Sequence, residues 1–366
     1  MAKRKTPAKK KAVTRKKTAE SRRRPLRIGM IGAGSRSMAV HYPSLHDLPA
    51  VQIAAVCELR EERGAAAAEK YGIPAQYSSF HEMIEKEKLD AVYACMPPHH
   101  LYDVCADVIE MGCNLFIEKP PAVTTEQIRQ LALLAHRHQV LTGVTFQRRY
   151  APLIRQGKAL VEERAPLHTC HAAFYKNWVG ASPYYKGAID MLACDGIHAV
   201  DTLRYLCGGH VVDVASDNRR LDAGHWNVHL ALIKFSSGVT GVLLVNFMTG
   251  CRSFTVEMHG AGVGYFADPE VGGKLYADRQ TEPVVTLDPF EECGSQEEYV
   301  AFGPYQTNAH FMDCLRRGIA PETDFADAVE TMELVEAVYG AQLYGGGGHD
   351  HNGCDGDCDG SCGRHG

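Results

Sequence analysis

Between Leu26 and Val144 short apolar runs alternate with stretches of helical periodicity, and that alternation limits the fold more than any other feature of the chain. The apolar runs are Leu26 to Ile31, Val51 to Cys57, Asp90 to Met96, Asn114 to Ile117 and Val140 to Val144. Helices are expected over Ser37 to Leu48, Leu101 to Met111 and Thr124 to His138, the last with apolar residues at Ile128, Leu131, Leu133 and Leu134. Strands separated by helices of this length build a parallel, doubly wound sheet. Right-handed crossovers then bring the carboxyl ends of the strands to one edge, where open sheets of this kind hold their ligands.

The residues at those strand ends carry the chemistry. The first run leads directly into Gly32-Ala33-Gly34-Ser35-Arg36-Ser37, a turn in which one glycine allows the tight bend and the next lets backbone approach a pyrophosphate. Ser37 stands where Gly or Ala is usual. The second run ends in Glu58, an acid suited to the two ribose hydroxyls of NAD; Arg60, two residues on, could hold a 2′-phosphate and leaves NADP as the alternative. Pro97-Pro98-His99-His100 breaks the third run where a loop would cross the nicotinamide. Glu118-Lys119-Pro120 closes the fourth. Proline restricts the residue before it, so Lys119 is held on a stiff backbone at the strand end. By itself this tripeptide also suits an ordinary surface loop; its place among the strands is what gives it weight.

After about Tyr150 the texture changes. Residues 151 to 163 remain helical in pattern, but alternating runs follow, such as Val228 to Phe235 and Val239 to Phe247 joined by Ser236-Ser237-Gly238. The expected organisation is a nucleotide-binding domain over 25–146 and a C-terminal α+β domain over 147–344, with a large, mostly antiparallel open sheet and closing helices near Tyr305 to Arg317 and Asp324 to Leu343. With 366 residues and 45% hydrophobic content the chain can fill two cores. No apolar run reaches the roughly 18 residues of a membrane span, no signal-peptide core follows the basic start, and most of the thirteen cysteines are scattered through core segments. A cytoplasmic protein is expected.

A second cluster lies in Asp190 to Asp201. Asp195, His198 and Asp201 recur at intervals of three, so on a helix they would share one face, with a carboxylate orienting the imidazole for proton transfer. A solvated helix face with a capping Asp is the plainer alternative. Just upstream, Tyr184, Tyr185 and Lys186 suit either substrate hydroxyls or a surface loop.

Together, Gly32-Ala33-Gly34, Pro97-Pro98, Glu118-Lys119-Pro120, Asp195-Gly196-Ile197-His198 with Asp201, and His310-Phe311-Met312-Asp313 resemble the glucose-fructose oxidoreductase, inositol dehydrogenase and rhizopine-catabolism group of nicotinamide-dependent oxidoreductases, over about Leu26 to Leu343. The resemblance implies an N-terminal Rossmann domain, a second domain that forms the substrate wall and often a homo-oligomer interface, and a sugar, cyclitol or related polyol as substrate. It implies Lys119 and His198 as the catalytic pair, supported by Asp195. Gly32, Gly34, Ser35, Arg36, Glu58, Arg60, Pro97, Glu118 and Lys119 fall at the cofactor, and Arg148, Tyr150, Tyr185 and Asp201 at the substrate. The chain departs from the pattern at Leu101, where many members have histidine, and at Cys194, where many have the acid that here stands at 195. A non-catalytic NAD-binding sensor and an NAD-dependent glycoside-cleaving enzyme are the alternatives on the same fold.

The ends differ from the rest. Residues 1–24 contain twelve Lys or Arg and one Glu, about +11, while the whole chain carries −5. Such an arm is expected to be disordered and either to bind nucleic acid or another polyanion or only to solubilise. Residues 345–366 place His349, His351, Cys354, Cys358, Cys362 and His365 among Gly and Asp, which suits a loose chelating tail or a low-complexity end. No catalytic metal is expected.

Overall fold

The computed structural model describes residues 24–342; the basic arm before Arg24 and the Cys/His-rich tail lie outside the described residues. Arg24 itself forms a bidentate pair with Asp90, at 2.6 and 2.7 Å, and so belongs to the folded body.

The first half is built from β1 (Leu26–Ile31), α1 (Ser35–Asp47), β2 (Val51–Cys57), α2 (Glu61–Tyr71), β3 (Ala75–Tyr77), α3 (Phe80–Lys86), β4 (Ala91–Ala94), α4 (Leu101–Glu110), β5 (Asn114–Ile117), α5 (Thr125–His138) and β6 (Thr142–Val144). Its strands form one parallel sheet in the order β3-β2-β1-β4-β5-β6. The order reverses between β1 and β4, and the crevice beyond their carboxyl ends is the binding position of such a sheet. Leu26, Ile28 and Met30 of β1 and nearly all of β4 and β5 are buried, as expected where helices cover both faces. Sequence patterning did not anticipate α2, β3 and α3. The strand among them has three residues, none of them buried, so it carries no apolar run to detect.

Gln147–Tyr150 forms a 3₁₀ turn, followed by α6 (Pro152–Glu162), β7 (Leu167–Asn177), a π-helical turn at Leu192–Gly196, and α7 (Ile197–Cys207). Then come β8 (Val211–Arg219), β9 (Val228–Phe235), β10 (Thr240–Asn246), β11 (Met248–Gly260), β12 (Val263–Asp268), β13 (Gly272–Ala277) and β14 (Val285–Leu287). These strands make an eight-stranded sheet, β14-β13-β12-β11-β7-β10-β9-β8, antiparallel except for the β7/β10 pair. In β9 and β10 buried and more exposed residues alternate, the mark of a sheet covered on one face.

Four helices end the described chain: α8 (Pro289–Cys293), α9 (Glu298–Ala301), α10 (Pro304–Arg317) and α11 (Phe325–Gly340). Of these, α10 packs against α1, and α11 against α5 and α7. Phe311 and Met312 of α10 enter the core of the first sheet, where Phe311 lies 4.9 Å from Phe116, itself stacked on Tyr93 at 4.7 Å. Helix α10 therefore returns, late in the described residues, to complete the first layer.

Candidate active site

At the end of β1 the chain turns at Gly32, whose φ of 97° lies in the left-handed region; a Cβ there would stand 2.4 Å from the Cys95 carbonyl oxygen. Only glycine fits. At Gly34 a Cβ would meet nothing within 4 Å, so ligand backbone contact is open there. Helix α1 starts beside it with no side-chain cap and no acid in its first turn, leaving N–H groups and the positive helix end for an anion. Ser37 fits the third position because its hydroxyl donates to the Gly34 carbonyl at 3.0 Å. Glu58 Oε2 accepts from the Ala33 N–H at 2.8 Å, which braces the carboxylate against this turn. Beside it lies a largely apolar cavity of about 640 Å³ lined by Gly32, Glu58, Leu59 and Arg63. These features fit a dinucleotide. Arg60 forms the N-cap of α2, outside the lining of this cavity, and Arg63, nearly one helical turn later, lines it. Gly32→Ala is expected to weaken NADH binding roughly tenfold or more, because its strain falls on the turn itself. Fluorescence titration checks this, and unchanged affinity would remove the turn from the cofactor site.

A second cavity, about 450 Å³, shares Gly34, Cys95, Met96 and Pro97 with the first and extends toward the larger sheet. Ser35 and Arg36 line it on one side. Lys119 enters it from beyond β5, on a cis Lys119–Pro120 peptide. Its Nζ donates to Asp195 Oδ1 at 2.8 Å and to the Cys194 carbonyl at 3.0 Å. An ammonium has three N–H donors, so one remains for a ligand. Glu118, behind it, is buried: Oε1 accepts from Arg36 at 3.0 Å and lies 3.0 Å from His41 Nε2, while Oε2 accepts from the Lys119 N–H at 3.0 Å. Burial acts to raise this carboxyl, but the Arg36 charge and His41 outweigh it and hold Glu118 well below the usual range. Glu118 thus ties the start of α1 to the backbone of Lys119.

Asp195 is the hub on the other side. Besides Lys119 it accepts from Lys176 Nζ at 2.8 Å and from the Tyr184 hydroxyl at 2.5 Å. Burial again acts to raise the carboxyl, and the Lys119 charge, with hydrogen bonds from Lys119, Lys176 and Tyr184, depresses it far below the ordinary carboxylate range. His198 lines the same cavity from the first turn of α7, and its Nδ1 has no hydrogen-bond partner. Burial, then the charges of Lys119 and Arg148, hold its pKa well below the usual histidine value, so the ring is neutral at pH 7.

The expected carboxylate-oriented histidine is therefore not what forms. The π-helical turn at Leu192–Gly196 breaks the spacing on which a shared Asp195, His198 and Asp201 face depends. Asp195 faces the lysines. Asp201, 1% exposed, accepts from Arg149 Nε and Nη2 at 2.7 and 2.5 Å and from Thr331 at 3.1 Å, and it does not line the cavity. Tyr150 is likewise placed elsewhere: it is 3% exposed, with its ring 5.3 Å from His310 and under the Arg155 guanidinium. Arg148 and Tyr185 do line the cavity. Sequence reasoning missed Lys176 and Arg252, which reach it from β7 and β11. Neither sits in a motif, and only the pairing of the two strands brings them to this place. Among the described residues no group of His, Cys, Asp or Glu is arranged to hold a metal ion, and no helix is long and apolar enough to cross a membrane.

The neutral state of His198 has consequences of two signs. Turnover should show no loss attributable to this ring between about pH 7.5 and about pH 6, because it titrates well below its ordinary value of about 6.5. Stability behaves oppositely: the unfolded histidine takes a proton near pH 6.5 while the folded one does not, so this residue lowers stability progressively as pH falls below about 6.5. Melting temperatures at about pH 7.5 and pH 5.5 for the protein and for His198→Gln check this, the variant being expected to lose less on acidification.

Comparison with known proteins agrees with the fold and with a dinucleotide site in the first sheet. Residues 26–146 match the family model described as an oxidoreductase family with an NAD-binding Rossmann fold. The chain is 30% identical over 202 residues to D-glucoside 3-dehydrogenase of Escherichia coli, a match covering 50% of this chain and about half, 54%, of that protein. It is 26% identical over 337 residues to inositol 2-dehydrogenase of Burkholderia cenocepacia, covering 87% of this chain and 95% of that one. A dehydrogenase from Chromobacterium violaceum superposes with a TM-score of 0.78 at 22% identity, over 87% of this chain and 96% of the other, and so shares the fold.

Proposed function

Since this chain belongs to the glucose-fructose oxidoreductase, inositol dehydrogenase and rhizopine-catabolism family of NAD-binding oxidoreductases, we propose that it oxidises a hydroxyl-bearing carbon of a sugar, cyclitol or related polyol. The observation that carries this reading is the third, unengaged N–H of Lys119, set in one cavity with a neutral His198 and adjoining the glycine turn. Bound nicotinamide would supply the hydride acceptor. The substrate hydroxyl lies between Lys119 and His198. His198, neutral and lining the cavity, accepts its proton. Lys119, fixed by Asp195 and the Cys194 carbonyl, stabilises the negative charge that builds on the oxygen. Asp195 positions the lysine and does not touch the proton. Tyr185, on the same wall, is within the space a polyol would fill.

For the cofactor, Glu58 braced on Ala33 supports NAD over NADP, since its carboxylate would face a 2′-phosphate. Titration with NADH and NADPH, followed by a polyol screen scored by net NADH formation, tests the reading. Tight NADH binding with reduction by at least one polyol is expected. Binding without reduction by any polyol would favour a sensor or a redox-neutral glycoside-cleaving enzyme. A homo-oligomer is proposed from the exposed Leu230, Leu232, Val242 and Phe266 on strands of the larger sheet, and a reducing compartment from ten described cysteines, all free.

A further inference from the structure

The substrate wall carries more positive charge than a neutral polyol needs. Five cationic side chains line the reaction cavity: Arg36, Lys119, Arg148, Lys176 and Arg252. Arg36 is matched by Glu118, and the two lysines share the single carboxylate of Asp195. The two remaining arginines share Glu270, which both contact. Asp268 also acts on both arginines, so the five cations face four carboxylates, Glu118, Asp195, Glu270 and Asp268, and an excess of positive charge remains.

The cofactor does not account for it. The turn at Gly32–Ser35 and the start of α1, which suit a pyrophosphate, belong to the first sheet, whereas Arg252 and Lys176 stand on β11 and β7 of the other. Arg252 is aimed by an irregularity: between Met248 and Ser253 the ladder with β7 breaks, so residues 249–252 leave the pairing register opposite Lys176. Arg148 is more telling. It is 3% exposed and stacked over Phe254 with its guanidinium 4.9 Å from the ring centroid, yet its Nε and Nη1 have no hydrogen-bond partner. Unpaired guanidinium nitrogens in a buried position are costly, and burial pulls the Arg148 pKa down despite Glu270. An anionic ligand that reaches the unpartnered nitrogens of Arg148 beside Arg252 would relieve that cost.

We propose that the substrate of the dehydrogenase reaction is a polyol that carries an anionic oxygen group, a carboxylate or a phosphate, bound by Arg148 and Arg252. This rests on the dehydrogenase reading above and deepens it. A further effect follows at His198, whose proton affinity Arg148 depresses: an anion on Arg148 offsets that charge, so the bound substrate itself makes the imidazole a better base.

The test is a set of matched substrates differing only in charge: glucose, glucuronate and glucose 6-phosphate, and the corresponding galactose series, each assayed for NADH formation and, on the NADH-loaded protein, for binding by calorimetry. An acidic member should exceed its neutral counterpart at least roughly a hundredfold in kcat/KM or, if none is turned over, at least about tenfold in affinity; a carboxylate or a phosphate as the better partner identifies the group. In Arg252→Gln that preference should collapse to within a few-fold, while an NADH titration reports that the variant is folded. Neutral sugars equal to the acids in every series, or a preference that survives in Arg252→Gln, would overturn the proposal. Absence of NADH binding in the unaltered protein would overturn the dehydrogenase reading first, and this inference with it.

Discussion

Replacing Lys119 by methionine is expected to lower turnover by roughly two to four orders of magnitude while leaving NADH affinity within a few-fold. The size follows from the proposed role. In the proposed mechanism the ammonium, with one N–H unengaged beside a neutral imidazole, is the charge placed against the developing oxyanion, so its loss removes that stabilisation. Methionine keeps the volume of the stem. It also leaves Asp195 with two of its three donors, Lys176 and Tyr184, so the hub survives. The fall should appear in kcat more than in KM, because the interaction strengthens as charge develops. Initial rates and a separate NADH titration distinguish this from simple loss of the cofactor site. Turnover within a few-fold of the unaltered protein would remove Lys119 from the chemistry.

The second large effect concerns stability, not rate. Arg149→Ala is expected to destabilise the protein by about 3–5 kcal/mol, the usual cost of removing one partner from a buried ion pair. Arg149 holds Asp201 in a bidentate pair and reaches Asp327 at 2.8 Å, with Arg204 contacting Asp327 and Glu330 from the other side. Burial opposes the charge on Arg149, and Asp201 and Asp327 together overcome that opposition. Remove it, and Asp201 is left as a carboxylate at 1% exposure with Thr331 as its remaining donor. Thermal unfolding should shift down by several degrees, with activity at low temperature largely kept because Asp201 does not line the reaction cavity. A melting temperature unchanged within about one degree would mean that the network is not holding the helices together.

These two residues also mark what was legible in the sequence and what was not. Gly32, Gly34 and Lys119 could be found because their chemistry is local: a turn or a restricted backbone at the end of an apolar run fixes where the group points. His198 was found as a residue but misread in its company. The spacing from Asp195 to Asp201 suits an unbroken α-helix, and the π-helical turn at Leu192–Gly196 hands Asp195 to two lysines and leaves Asp201 to Arg149. Periodicity cannot register one extra residue per turn when the surrounding residues are apolar on every side. Lys176 and Arg252 had no signal at all, since a single charged residue in a strand says nothing until the ladder between β7 and β11 is known. The same limit explains the missed β3, which is held by its pairing with β2 and has no burial pattern of its own.

The return of α10 and α11 to the first sheet changes what counts as a unit of this molecule. Although 26–146 contains every strand of the parallel sheet, the side chains that close its core around Phe116 include Phe311, almost two hundred residues later. The first and last portions of the described residues clasp each other across the segment that forms the second sheet, as a buckle joins the ends of a belt. The cleft between the sheets is thus held by connections on both sides of the chain rather than by a single linker, so wide opening would have to separate α11 from α5 or from α7. If the proposed substrate binds there, it meets a cleft tied from both sides, and discrimination would fall to the charges on its walls.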